Sequence, residues 1–227
     1  SGRSILLAFA IVLGAAAGYW AAYASPIFAV ERIDVRGAPP QVERDVARAT
    51  RELVGTSLVA VDADGVEGKL RTLPSVAGVS VDRAFPHTIV VKIAPEKPVA
   101  VVRRGRTTWL ATGSGKLIRE IETGTHLEFP RLWLAKGVAV RAGGMLPPGL
   151  TPAARALADA RGVGIRVKGV RLVNDELVLV LRRGTELRLG RTAEVGLKLA
   201  IAAKVLRLVD SGVTYVDVSV PERPVAG

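Results

Sequence analysis

The hydrophobic pattern of this chain changes character twice. From Ile5 to Ala24 it is unbroken, twenty residues with no charge and no proline. A helix rises about 1.5 Å per residue, so such a run spans about 30 Å, the thickness of a bilayer's hydrocarbon core. A continuous helix also satisfies its backbone hydrogen bonds internally, as a spanning segment must. Tyr19, Trp20 and Tyr23 cluster at one end, where amphipathic rings suit the membrane interface, and Ser25-Pro26 stops the helix. The pattern predicts a transmembrane helix over 5–24. Residues 1–4 precede it as a short cytoplasmic remnant, because Arg3 is the only charge before the run. A cleavable signal peptide competes with this reading through the A-x-A pattern at Ala22-Tyr23-Ala24. Against cleavage, the run exceeds the usual ~7–15-residue signal core and one basic residue alone precedes it. Either way the remaining residues lie outside the cytoplasm.

From Phe28 the text alternates between periods of two and of 3.6. Ile33 and Val35 predict a strand ended by Gly37. Pro39-Pro40 opens a helix with an apolar stripe of Val42, Val46, Ala49 and Leu53, and Gly55 suits its end. Asp62 can cap a second helix carrying Val66, Leu70 and Leu73, kept short by Gly65 and Gly68. Val76, Val79 and Val81 then alternate, Phe85-Pro86-His87 turns, and Ile89, Val91 and Ile93 alternate again. Strand, helix, helix, strand, strand over 28–96 makes a domain with one sheet face beneath two helices.

The second change comes after Glu96. Residues 97–220 predict a strand-rich domain, and 221–227 a tail. Val99 to Val102 and Thr107 to Ala111 flank a hairpin turn at Arg103–Arg106, with Trp109 expected at a domain junction. Residues 130–148, rich in Gly and Pro, hold one strand at most. Thr151-Pro152 opens a helix stopped by Gly162. Two strands join through Asn174-Asp175, a third covers Thr185–Leu189, and Thr192 can cap a long helix with a wide apolar arc from Leu197 to Leu208. VTYVDVSV is the final strand, with Val216, Val218 and Val220 facing the core and Tyr215, Asp217 and Ser219 facing outward. With nothing long enough downstream to pair with it, its outer edge is expected to be free, a feature suited to β-augmentation.

Composition narrows the chemistry. With no cysteine, a disulfide framework, a thiolate metal site and a thiol nucleophile are excluded. His87 and His126 stand in unrelated contexts. Gly113-Ser114-Gly115-Lys116 fails as a phosphate loop, because Leu110 replaces the first glycine and Leu117 the magnesium-binding hydroxyl. Gly162-x-Gly164 fails as a dinucleotide fingerprint at Val167. No catalytic motif stands out, so neither an enzyme nor a cofactor is expected. The net charge is +11, and between Arg161 and Arg207 eleven Lys/Arg oppose four Asp/Glu. That balance points either to a solvated basic face or to attraction for acidic partners, anionic envelope polymers or headgroups. Nucleic acid does not fit a chain outside the cytoplasm with few stacking aromatics.

Several blocks carry a resemblance. VERIDVRG, GTSLVAVD, LPSVAGVSVDRAFPHTIVVKI and PEKPVA resemble the POTRA domain of the FtsQ/DivIB division proteins. The specific positions are Leu73-Pro74, Val79, Val81, Arg83, Phe85-Pro86 and Pro98-Val99-Ala100, with Lys97 where the family usually has arginine. LRRGTELRLGR, a lysine in the following helix (Lys198 or Lys204) and GVTYVDV resemble the β-domain of the same family. The resemblance implies an α+β fold: one N-terminal transmembrane helix, a β-α-α-β-β POTRA domain, and a β-domain with a long C-terminal helix and a terminal strand. It implies a single-pass scaffold of the divisome at the septum, binding FtsB/FtsL-type bitopic partners and helping to recruit and control the septal peptidoglycan synthase. It also implies that Tyr215, Val216, Asp217, Val218 and Ser219 form the docking strand.

Overall fold

The computed structural model describes residues 7–15, 17–18, 28–135, 137–173, 176–209 and 212–227. Residues 7–15 and 17–18 are helical, and Leu7, Phe9, Ile11, Val12 and Leu13 are all more than half exposed. Among the described residues no helix is long and apolar enough to cross a membrane. Much of the span predicted for 5–24 lies outside the described residues, with Arg3, Tyr19, Trp20, Tyr23 and Ser25-Pro26. The chain divides into two units between Pro95 and Glu96.

In the first unit, β1 (Arg32–Arg36), α1 (Pro40–Thr50), a single 3-10 turn (Arg51–Leu53), α2 (Ala63–Arg71), β2 (Val76–Ala84) and β3 (Thr88–Pro95) follow in order. Pro40 opens α1, where its missing N–H has no helical partner to lose. At the start of α2 the Asp62 carboxylate accepts the Gly65 N–H at 3.1 Å. The sheet order is β1-β3-β2, with β3 parallel to β1 and antiparallel to β2. Val42 and Val46 of α1, Val66 and Leu70 of α2, and Ile89, Val91 and Ile93 of β3 close one apolar core. Two polar ties fasten α2's surroundings to β2. The Val81 N–H donates to Glu67 Oε1 at 2.9 Å, and the Arg83 guanidinium donates to the Val61 carbonyl at 2.6 Å.

The second unit is a nine-stranded mixed sheet in the order β12-β11-β10-β9-β8-β7-β4-β5-β6. Its strands are β4 (Pro98–Arg104), β5 (Thr107–Thr112), β6 (Leu117–Ile121), β7 (Arg131–Trp133), β8 (Val167–Val173), β9 (Glu176–Leu181), β10 (Glu186–Arg191), β11 (Tyr215–Asp217) and β12 (Val225–Ala226). Helices α3 (Thr151–Gly162) and α4 (Val195–Leu208) pack on the sheet and on each other. Strict alternation in β9 buries Leu177, Leu179 and Leu181, which join Leu187 and Leu189 of β10 in the core. The buried side of α3 is largely alanine: Ala153, Ala154, Ala156 and Ala160 with Leu157. Small side chains let this helix lie close to the strands. At the β5–β6 turn the approach is so tight that a Cβ on Gly113 would stand 2.5 Å from that of Ala158.

Several expectations are corrected. Trp109, expected at a domain junction, is buried in the second unit's own core, with the Arg104 guanidinium 5.2 Å over its ring. Thr192 does not cap α4. The cap position is Glu194, in left-handed conformation at φ 54°, and its side chain makes no capping bond. Only part of the expected arc on α4 is inside, since Leu199 is fully buried while Leu197 and Leu208 are exposed. The turn predicted at Asn174-Asp175 lies outside the described residues. The final strand is shorter than the alternation suggested, Tyr215–Asp217, and Val220 is exposed. Nor is it terminal: Val225–Ala226 of the expected tail forms β12 and pairs with it.

Leu70→Ala removes a completely buried side chain from the first core and is expected to cost about 2–4 kcal/mol in chemical denaturation. A loss below ~0.5 kcal/mol would contradict the packing of α2 described here.

Candidate partner-docking edge

β11 is held on its inner side by β10. The two strands run parallel, with Leu187 beside Val216 and Arg188 beside Asp217. Beyond the strand the Val218 N–H still reaches the Arg188 carbonyl at 2.9 Å. Val216 and Val218 are completely buried. Tyr215 and Asp217 are half-buried on the other face and Ser219 is exposed. The predicted division of faces therefore holds from 215 to 219, and the structure brings all five of these residues to one sheet margin.

The strand ends for two local reasons. The Asp217 carboxylate accepts the Ser219 N–H at 2.8 Å, a turn that competes with the ladder. Across from it the β9–β10 register shifts between Arg188 and Gly190. Gly190 sits at φ +60°, and a Cβ there would come within 2.8 Å of Ser219 Cβ. The bulge and the bend thus fit against each other, and the position suits glycine on both counts.

On the outer side the edge is not free. Val216 lies beside Ala226 and Asp217 beside Val225, antiparallel. Tyr215 and Gly227 exchange both backbone bonds, at 2.9 and 3.1 Å, and the Thr214 N–H adds a third at 2.8 Å to the Gly227 carbonyl. Both residues of β12 are exposed, so this strand contributes hydrogen bonds and little burial. It is the outermost strand of the sheet order. The sequence reading missed it because two apolar residues behind Pro221-Glu222-Arg223-Pro224 are too short to register as a period.

Electrostatics mark the same margin. Glu186 of β10 receives both Arg171 and Arg188, the latter at 3.5 Å. The Arg188 guanidinium also lies over the Tyr215 ring, 4.4 Å from its centroid, a cation–π contact on the outward face. Behind β10, Lys198 of α4 is the lysine that turns inward: it is buried, and its ammonium donates to the Arg191 carbonyl at 2.9 Å. Lys204 is exposed.

The residues weighed for other chemistry are dispersed. His87 Nδ1 lies 3.2 Å from the Ala29 carbonyl oxygen in the first unit, and His126 Nδ1 lies 3.2 Å from Glu128 in the second. Gly113–Lys116 is the β5–β6 turn, closed by Gly115 N–H on the Thr112 carbonyl at 3.0 Å, and the Lys116 ammonium pairs with Glu96 at 2.9 Å. Among the described residues no group of three His, Cys, Asp or Glu could hold a metal.

Comparison with known proteins adds the following. A sequence profile for the POTRA domain, FtsQ-type, matches residues 28–94. The cell division protein FtsQ of Streptomyces venezuelae is 34% identical over 133 residues, 58% of this chain and 49% of that protein. That of Streptomyces coelicolor is 39% identical over 103 residues, covering 45% and 39%. The FtsQ of Anaeromyxobacter sp. (strain K) is 28% identical over 220 residues, covering 91% of this chain and 72% of the relative. The chain thus spans about half or less of the length of the Streptomyces relatives.

Backbone N–H groups alternate in direction along a strand, so the bonds above assign the register. Tyr215 and Asp217 donate towards β12, and Val218 donates towards β10. Val218→Pro strands the Arg188 carbonyl beside the core and is expected to cost about 1–3 kcal/mol or more. Asp217→Pro should cost no more than about 1.5 kcal/mol while speeding amide exchange at Gly227. Equal losses in thermal unfolding would contradict this assignment.

Proposed function

The chain belongs to the FtsQ/DivIB family of bacterial cell division proteins, and from that premise we propose that it is a single-pass scaffold of the divisome. Its apolar run at 5–24 anchors it in the cell membrane with the N-terminus in the cytoplasm. Both units stand outside, where the chain binds FtsB/FtsL-type bitopic partners and helps recruit and regulate septal peptidoglycan synthesis. It works by docking and carries out no catalysis. The exposed apolar side chains of residues 7–13 support the anchor, since in water they would have no partner.

The observation that carries the docking role is the sheet margin at β11–β12. A partner strand joins the sheet along the outer edge of β12, beside a β11 that Val216 and Val218 hold in the core. Tyr215, Asp217 and Ser219 present their side chains to that partner. An edge of two exposed residues is short enough to resist self-association, yet it leaves backbone groups to template one more strand. The basic surface supports a second reading, an envelope module that binds anionic polymers or headgroups. Salt separates the two: polymer binding driven by charge falls steeply with ionic strength, and strand pairing does not.

The test follows from the alternation of β12. Gly227 and Val225 face β11, so the Ala226 N–H points outward. Ala226→Pro should leave the protein folded, with the β11–β12 ladder intact, and abolish co-purification of an FtsB/FtsL-type partner from membranes. Retention of the partner by this variant would rule out β12 as the docking edge. A reporter enzyme that functions only outside the cytoplasm, fused after Gly227, should be active. Cytoplasmic activity of the complementary reporter would overturn the topology.

A further inference from the structure

At the end of the second unit away from the Lys198 contact, three segments distant in sequence meet around a cleft of about 520 Å³. Its floor is apolar: Ile165 after α3, Leu181 at the end of β9, and Ala203 and Leu206 of α4. Its rim carries Arg166, Arg182, Arg183 and Arg207, and among the described residues that line it none is acidic. All four arginines are exposed. Among the described residues none of them forms an ion pair, although Arg171 and Arg188 on the same sheet do. Two are nonetheless fastened through guanidinium N–H groups to carbonyls. Arg207 donates to the Ala203 carbonyl at 3.0 Å and Arg182 to the Glu128 carbonyl at 3.2 Å. The Glu128 carboxylate itself pairs with His126 at 3.2 Å. It is held below the usual carboxylate range first by its own backbone N–H and then by that histidine. The cleft thus combines positioned cations, unpaired among the described residues, with an apolar floor, at a volume within the range of about 300–1,000 Å³ usual for ligand clefts.

We infer that this cleft is a second docking site, for an acidic peptide segment that carries a large apolar side chain between carboxylates. Guanidinium forks suit carboxylates, and the floor takes the apolar side chain, which accounts for both halves of the lining. A polyanionic glycan would use the rim and leave the floor wet. A flat headgroup surface would not reach into the concavity. No residue of β11 or β12 lines the cleft, and the inference does not rest on the reading given to that edge.

The test uses the whole chain in neutral detergent micelles and a fluorescein-labelled peptide of two leucines flanked on each side by two glutamates, read by fluorescence anisotropy. Arg166→Ser with Arg183→Ser should weaken binding about fivefold, and Arg182→Ser with Arg207→Ser at least as much. Replacing the peptide's leucines by serines should weaken it about tenfold. Ala226→Pro should leave it unchanged, which separates failure here from failure of the docking edge. Among the described residues the side chains of the first arginine pair make no hydrogen bond or ion pair, so this pair keeps the test valid if the second perturbs folding, as a thermal melt would show. Equal binding of the serine peptide would mean diffuse attraction of polyanions and would overturn the proposal. So would arginine-dependent binding to phosphatidylglycerol vesicles without peptide binding, no loss in the first arginine pair, or no binding at all.

Discussion

The packing of two helices onto the leucine and valine rows of β9, β10 and β11 is the constraint on which the second unit depends. Leu177, Leu179, Leu187, Leu189 and Val216 come from three strands, Val218 directly follows β11, and Leu199, Ala202 and the alanines of α3 come from above. Burying a side chain of this size stabilises by about 1.5–3 kcal/mol relative to leaving it exposed. Because side chains alternate along a strand, that burial fixes register, and a slip of one residue would turn every row outward. The same packing seats β11, whose three residues could not hold a position by hydrogen bonds alone.

Lys198 shows how polar groups were fitted to this core. A buried ammonium is tolerated only when it is paired or hydrogen-bonded, and its partner here is the carbonyl of the last residue of β10. The bond ties α4 to the strand it packs on, close to the left-handed Glu194 where the helix begins. Position along the helix therefore decides between the two lysines that the sequence offers. Lys198 lies one turn in and can reach back, while Lys204 lies on the solvent side.

Charge is distributed by the same logic of position. Near the β11 margin, Glu186 gathers Arg171 and Arg188, and Arg188 in turn covers the Tyr215 ring. Around the cleft that Thr185, just before β10, helps to line, Arg182 and Arg207 meet backbone carbonyls instead of carboxylates. A composition of +11 says that basic charge is in excess. It does not say where in the fold that excess gathers.

Much was determined by sequence alone, wherever the cause is local. Periods of two and 3.6 placed β1, α1, α2, β2 and β3, the Asp62 cap, and the inward turn of Val216 and Val218, because each depends on neighbours a few residues away. The helix stripe of Val42 and Val46 and the buried Leu70 follow from the same patterns. What only the tertiary structure decided are contacts between distant segments. β12 exists as a strand because β11 offers it a ladder, since two residues carry too little propensity to form one. β11 ends at Asp217 because its own carboxylate turns the chain over the Gly190 bulge. The start of α4 was set by packing and not by the hydroxyl of Thr192. The arginines at 166, 182–183 and 207 became neighbours because the fold folds α3, β9 and α4 together, and long-range burial is a property that no window of the sequence contains.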